Sequence, residues 1–112
     1  MISKYELGFT PTALKQWKSL DNSAKQVFKK ALLKRLSQPV VASAKLNFHD
    51  SPIDCYKIKL RTHGYRLVYT ILEDKMIVAV LTIDRRDKVY NNLAEIASSF
   101  SVSQSRISTE NK

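Results

Sequence analysis

The sequence predicts an α+β fold: a single small domain in the order β-α-α-β-β-β-α, with a mostly antiparallel sheet that carries helices on one face. Three observations support this prediction. An alternating strand pattern at 4–9 comes first, two stretches with apolar residues at helical spacing follow, and three runs rich in Val, Ile, Leu and Tyr come last. Helices grouped ahead of consecutive strands are typical of α+β domains, and they leave one sheet face free for function.

The first strand and the two helices have clear sequence boundaries. Residues 4–9 alternate between apolar and polar side chains, as a half-buried strand does. Thr10 is expected to cap the first helix, with Pro11 in its first turn. The polar residues 21–23 interrupt this helix and cap a longer one, which the Gln-Pro pair after Ser37 ends.

The centre of the sequence is a predicted β-hairpin at 54–69. A two-residue turn at His63-Gly64 is expected to pair Arg61 with Arg66 and Lys59 with Val68. Because side chains alternate between the faces of a strand, this pairing places four cations on one face: Lys57, Lys59, Arg61 and Arg66. Like charges on neighbouring strands destabilise a sheet, so this face is expected to meet an anionic ligand.

The residues after the hairpin predict one more strand, a short helix and a tail. Residues 75–83 are almost continuously apolar, which is typical of a central strand. If Leu72 pairs with Lys75, the same register brings Arg85 towards the four cations. Residues 93–97 have the pattern of a short amphipathic helix, and the predicted domain therefore spans 1–97. The Ser-rich residues 98–112 are expected to form a polar, disordered tail.

Size and charge limit the function classes. The chain has 112 residues, and 19 Lys and Arg against 10 Asp and Glu give a net charge of +9. This charge favours nucleic acid, an anionic membrane or an acidic protein as partner. No apolar run reaches the roughly 20 residues of a membrane span. The single cysteine, Cys55, and the absence of a signal-peptide pattern predict a protein of the reducing cytoplasm.

The usual catalytic motifs are absent from the sequence. There is no glycine-rich phosphate loop and no Ser/His/Asp set, and His49 and His63 have no partner at metal-ligand spacing. No metal and no cofactor are therefore expected. The concentrated basic residues could bind a phosphodiester and stabilise the dianionic transition state of its cleavage. Since RNA carries its own nucleophile, the 2′-hydroxyl, the lysines are expected to neutralise charge rather than to act as bases.

Four stretches of the sequence resemble the RelE toxins of the RelE/ParE toxin–antitoxin superfamily. They are FTPTALKQWKSLD, KKALLKRL, DCYKIKLR and GYRLVY, and the resemblance covers residues 4 to about 97. It implies a ribosome-dependent endoribonuclease that cleaves mRNA in the A site of the small ribosomal subunit. It also implies a cognate RelB-like antitoxin and binding to operator DNA through that antitoxin, with no membrane partner.

The resemblance also implies roles for individual residues. Lys57, Lys59 and Arg66 match the catalytic positions on the hairpin, whereas Arg86 matches the proton donor to the leaving oxygen and Tyr90 the residue that positions the cleaved nucleotide. Three further residues are expected to bind RNA: Arg61, which matches a phosphate-binding position of the family, Arg85, which the strand register favours instead of Arg86, and Lys45, in the loop before the hairpin.

Two other functions fit the same residues. A ParE-like toxin would keep the fold, inhibit DNA gyrase and need no lysine pair on the strand. A non-catalytic nucleic-acid-binding or operator-binding protein would use the basic face only to neutralise phosphates. The combination of Lys57, Lys59 and Arg66 favours the nuclease.

Overall fold

The computed structural model describes residues 5–46, 53–61, 64–85, 88 and 108–110. The elements in chain order are β1 (Glu6–Phe9), α1 (Pro11–Ser19), α2 (Asn22–Ser37), a short 3₁₀ turn (Ala42–Ala44), β2 (Cys55–Leu60), β3 (Tyr65–Leu72), β4 (Ile77–Arg85) and β5 (Ser108–Glu110). The α+β class is thus confirmed, whereas the predicted helix at 93–97 lies outside the described residues.

The two helices begin and end where the sequence predicted. The Thr10 hydroxyl accepts a hydrogen bond from the Ala13 amide at 3.1 Å, and Pro11 is the first residue of α1. The Asp21 carboxylate caps α2 in the same way, at 2.8 Å from the Ala24 amide. The Thr10 hydroxyl also donates to the Leu81 carbonyl at 3.0 Å, so the same side chain fixes α1 against the sheet.

The sheet is mixed, with the strand order β2-β3-β4-β1-β5. The β2–β3 and β3–β4 pairs are antiparallel, as predicted, while β1 runs parallel to β4. Outside β1, residues Ser108–Glu110 pair antiparallel with Leu7–Phe9. The prediction of a disordered tail is therefore wrong for these three residues, and the rest of 98–112 lies outside the described residues.

The hairpin register differs from the predicted one by two residues. Leu60 pairs with Tyr65 and Lys59 with Arg66, so four residues connect the strands instead of two. Gly64 has φ +69°, the left-handed conformation that glycine adopts at no steric expense. A shift of two residues keeps every side chain on its predicted face. The predicted faces are therefore right, although the predicted neighbours are wrong.

The register between β3 and β4 also departs from the prediction. Leu72 pairs with Ile77 and not with Lys75, because the turn takes up four residues, among them Met76 at φ 56°. Further along, Tyr69 pairs with Val80 but Val68 pairs with Thr82, which leaves Leu81 as an extra residue in β4. Such a β-bulge reverses the alternation of faces beyond it.

Apolar side chains pack on both faces of the sheet. The main core lies between the sheet and the helices, where Phe9, Phe28, Leu32, Leu67 and Tyr69 are almost fully buried. A second, smaller cluster lies on the opposite face: Cys55, Val68, Leu72, Ala79 and Leu81. The free face predicted for the cations is therefore partly apolar.

The helices within the described ranges are too short or too polar to cross a lipid bilayer.

Candidate active site

Two lysines of β2 face away from the helices because their neighbours face the core. Tyr56, Ile58 and Leu60 are at most 6% exposed and belong to the helix-side core. Side chains alternate along a strand, so Lys57 and Lys59 must lie on the other face. Lys57 is half-buried there and Lys59 is exposed.

Two arginines complete the cluster. Arg66 on β3 is the direct cross-strand neighbour of Lys59, and Arg61, the first residue after β2, is near enough to lower the pKa of Lys59 through its charge. An open cavity of about 710 Å³ lies at this end of the hairpin, and its lining includes Lys59, Arg61, Gly64, Tyr65 and Arg66. We call Lys57, Lys59, Arg61 and Arg66 the basic cluster.

The charges of the basic cluster act on one another. The pKa of Lys59 is lowered, first by the positive charge of Lys57, then by Arg66, and less by burial and by Arg61. These neighbours disfavour a further positive charge, and an anion bound among them would remove that penalty. The electrostatic field of the cluster is therefore suited to a phosphate group.

The structure separates two other predicted RNA-binding residues from the cluster. Lys45 bridges to Tyr56 at the opposite end of β2, and its ammonium lies 3.6 Å from the Asp54 carboxylate. Arg85 pairs with Tyr65, whose side chain packs against the helix-side core. The expectation that Arg85 joins the four cations is wrong because the bulge at Leu81 reverses the faces of β4.

The bulge brings an acidic residue to the position predicted for Arg85. Asp84 is the cross-strand neighbour of Arg66, so Lys59, Arg66 and Asp84 form one row across β2, β3 and β4. The Asp84 carboxylate accepts a hydrogen bond from the Arg85 amide at 2.8 Å. No sequence pattern indicates this row, since a bulge inside an unbroken apolar run leaves the residue pattern unchanged.

Arg86 and Tyr90, the other two predicted catalytic residues, lie outside the described residues, as does the turn residue His63. Among the residues that are described, no three His, Cys, Asp or Glu side chains come close enough together to hold a metal ion. Of the predicted catalytic and RNA-binding residues, the described ones that the structure brings together are therefore the four cations of the basic cluster.

A further set of contacts behind the cluster was missed by sequence reasoning. The Arg35 guanidinium on α2 donates through Nη1 to the Tyr69 hydroxyl at 2.8 Å and to the Lys57 carbonyl at 3.4 Å. The Tyr69 hydroxyl donates to the Pro39 carbonyl, also at 2.8 Å. One feature of the sequence could have indicated these contacts. Arg35 lies four residues after Ala31, which packs against the core, so both residues lie on the side of α2 that faces the sheet.

Comparisons with known proteins agree with this fold. Residues 7–90 match the family described as the ParE toxin of the type II toxin–antitoxin system parDE. A putative RelE-like toxin protein of Escherichia coli is 42% identical over 94 residues, which cover 82% of this chain and 96% of that protein. The mRNA interferase toxin RelE of Escherichia coli K12 is 39% identical over 84 residues, or 75% of this chain and 85% of that protein.

Solved structures give the same result. The toxin in the crystal structure of the intact Escherichia coli RelBE toxin–antitoxin complex is 40% identical, with a TM-score of 0.67, and the match covers 72% of this chain and 95% of that one. A double mutant of Escherichia coli RelE in the free state is 34% identical with a TM-score of 0.72, covering 88% of this chain and 97% of that one. The chain belongs to the RelE/ParE superfamily of type II toxin–antitoxin toxins, and within it to the RelE-like toxins.

Proposed function

We propose that this toxin is a ribosome-dependent endoribonuclease that cleaves mRNA in the A site. The 2′-hydroxyl of one nucleotide gives up its proton to solvent and attacks the adjacent phosphodiester, and the 5′-oxygen of the next nucleotide leaves and takes up a proton. The products carry a 2′,3′-cyclic phosphate and a 5′-hydroxyl. The observation that carries this proposal is the basic cluster, in which Lys57, Lys59 and Arg66 share one face of the sheet and Lys59 and Arg66 line an open cavity. A relative that is 39% identical is named an mRNA interferase, which supports the same reaction.

The basic cluster fits the charge that develops during this reaction. The phosphodiester carries one negative charge, and the pentavalent transition state carries two. Cations positioned on the sheet before the reaction stabilise the added charge without reorganising, and losing one such group typically slows a reaction about 10²- to 10³-fold. We assign this role to Lys57, Lys59 and Arg66, and the binding of a flanking phosphate to Arg61.

The lowered pKa of Lys59 does not make this lysine a good base. Its causes are positive neighbours, and a bound phosphate counteracts them. Lys59 therefore stays protonated in the complex with RNA and acts through its charge. Because the nucleophile belongs to the RNA and the side chains supply the counter-charge, the proposed reaction needs no metal ion.

Two roles rest on the resemblance to RelE toxins and not on described residues. Arg86 would give a proton to the leaving 5′-oxygen, and Tyr90 would position the nucleotide at the cleaved bond. The two residues follow β4, whose end lies beside Arg66 on β3. Lys45 and Arg85, which lie apart from the basic cluster, would contact RNA outside the cleavage site.

A cognate antitoxin would hold the toxin inactive. Structures of relatives in complex with RelB support this partner. The net charge of +9 favours an acidic chain, partly helical, that covers the basic cluster in the cytoplasm. Operator DNA would bind to the pair through the antitoxin.

Primer extension on mRNA after induction of the toxin tests the proposal. Induction should stop translation and produce cuts within codons, only in messages that are being translated, with 5′-hydroxyl ends. Gyrase-dependent DNA breaks with intact mRNA would instead identify the ParE-like activity. Intact mRNA, normal growth and operator binding would identify a non-catalytic DNA-binding protein.

A further inference from the structure

The position of Lys57 depends on its main chain. Among the described residues, the Lys57 ammonium makes no hydrogen bond or ion pair, so the direction of this half-buried side chain towards Lys59 follows the path of the strand. Yet β2 is the terminal strand of the sheet and has a strand neighbour on one side only. A terminal strand is the least restrained part of a sheet, because one row of its main-chain groups lacks strand partners.

Several described contacts hold the outer side of β2, among them the bridge between Lys45 and Tyr56. The Cys55 carbonyl accepts a hydrogen bond from the Leu46 amide at 2.9 Å, and the next outward carbonyl, that of Lys57, accepts one from Arg35 Nη1 at 3.4 Å. The same nitrogen lies 2.8 Å from the Tyr69 hydroxyl on β3. One guanidinium nitrogen therefore connects β2 to β3 at the residue that carries the Lys57 side chain.

The hydroxyl at the centre of this network has a fixed orientation. Tyr69 is fully buried, and its hydroxyl accepts from Arg35 and donates to the Pro39 carbonyl just beyond α2. The Arg35 guanidinium also lies 5.7 Å from the centre of the Tyr69 ring, which stacks on Tyr56 of β2 at 5.5 Å. Hydrogen bonds, ring stacking and the cation over the ring thus hold α2, β2 and β3 in one arrangement.

We infer that Arg35, acting through Tyr69 and the Lys57 carbonyl, is a positioning residue that holds Lys57 beside Lys59 for the reaction. Arg35 itself lies on the helix side of the sheet and does not touch the substrate. The inference rests on the proposed function for its effect on cleavage, but its effect on the geometry of the lysines can be measured without RNA.

Three variants separate the geometry of Arg35 from its charge. Arg35→Met removes the hydrogen bonds and the charge, while Arg35→Lys keeps the charge and removes the forked guanidinium. Lys34→Met removes one charge from the exposed neighbouring position of α2 and is the matched control. If Arg35→Met does not fold, Arg35→Lys and Tyr69→Phe carry the test.

The first measurement is the pKa of the Lys59 ammonium in the free protein, by NMR of labelled lysine side chains. The positive charge of Lys57 is the largest cause of its lowered pKa, so the pKa reports how near Lys57 stays. We expect the Lys59 pKa to rise in both Arg35 variants and to stay unchanged in Lys34→Met. A Lys59 pKa that is unchanged in the Arg35 variants would overturn the inference, whether or not the wild type cleaves RNA.

The second measurement is the rate at which ribosome-bound mRNA is cleaved at saturating and at limiting toxin. The assay temperature is kept well below the melting temperature of each variant. A small displacement of a catalytic group lowers the rate by one to two orders of magnitude. We expect kcat to fall about 10-fold or more in Arg35→Lys while KM changes less than about 2-fold, and Lys34→Met to match the wild type. A normal kcat in Arg35→Lys, or a fall in kcat with an unchanged Lys59 pKa, would also overturn the inference. An inactive wild type would refute the proposed function alone, because the NMR result still decides the role of Arg35.

Discussion

Removal of the Tyr69 hydroxyl should destabilise the fold by an amount that the structure allows us to work out. Tyr69→Phe keeps the buried ring and its stacking on Tyr56, and removes two hydrogen bonds of 2.8 Å. A hydrogen bond from a charged donor contributes about 1.5–3 kcal/mol and a neutral one about 1 kcal/mol. Arg35 is only half-buried and can turn to water, which recovers part of the loss. We therefore expect the free energy of unfolding to fall by about 2 kcal/mol.

Urea denaturation measures this change. Small proteins lose about 1–3 kcal/mol of stability per molar urea, so the midpoint should fall by about 1 M with an unchanged slope. Tyr56→Phe is the matched control. Tyr56 is also buried, at 5% exposure, and its ring stacks on Tyr69, but the described contacts include no hydrogen bond of its hydroxyl. Equal midpoints for the two variants would refute the network as a source of stability.

Three further predictions concern pH, the β3–β4 turn and ligand binding. Burial raises the pKa of Tyr69 above its usual value of 10.0, so the unfolded chain loses this proton at a lower pH than the folded protein does. The contribution of Tyr69 to the free energy of unfolding should therefore be constant below about pH 10 and fall above it. Urea midpoints measured across this pH range should fall less steeply in Tyr69→Phe than in the wild type. Met76→Gly should raise the free energy of unfolding by about 1 kcal/mol, because glycine adopts the φ of 56° without the strain of a side chain. Lys75→Gly in the same turn should lower the free energy of unfolding. Equal effects of the two substitutions would exclude strain at Met76. A short single-stranded RNA should raise the melting temperature of the wild type at low salt, and Lys57→Ala/Lys59→Ala should lose most of this rise. An equal rise in the wild type and the double variant would mean that the RNA binds outside the basic cluster.

The elements of the fold could be predicted because their signals are local. Thr10, Pro11 and Asp21 carry the chemistry of helix starts, and the helix that was predicted to end at about Ser37 ends there. The alternation of Lys57 and Lys59 with core residues placed both lysines on the correct face. A period of two fixes the face of a side chain whatever its neighbour is.

The errors lie where local patterns do not determine long-range pairing. Loop lengths set the register of a hairpin, and the sequence around Gly64 fits a two-residue turn as well as the observed four-residue connection. The bulge at Leu81 places Asp84, and not Arg85, on the face that carries Arg66. Nothing in the residue pattern of 75–83 predicts such a bulge. The pairing of Ser108–Glu110 with β1 was likewise invisible, because three polar residues carry no strand pattern.

The basic cluster itself was predicted correctly in composition but not in arrangement. Lys57, Lys59 and Arg66 share a face in either register, which is why a two-residue error did not separate them. In the observed register Arg66 faces Lys59 directly, and an apolar cluster around Val68 and Leu81 occupies the rest of the face. The cations are thereby confined to the hairpin end of the sheet, and the length of face available to RNA is shorter than the sequence suggested.

Single-turnover cleavage of ribosome-bound mRNA by Lys57→Ala/Lys59→Ala is the most direct test of the claim that these cations stabilise the phosphate under attack. Each missing cation should slow the step about 10²- to 10³-fold, and because groups that act together are not additive we expect a combined loss of at least about 10³-fold. Lys29→Ala/Lys30→Ala removes the same charge from the exposed face of α2 and should cleave at the wild-type rate. If the folded Lys57→Ala/Lys59→Ala toxin cleaved within about 10-fold of the wild type, the basic cluster would not be the active site.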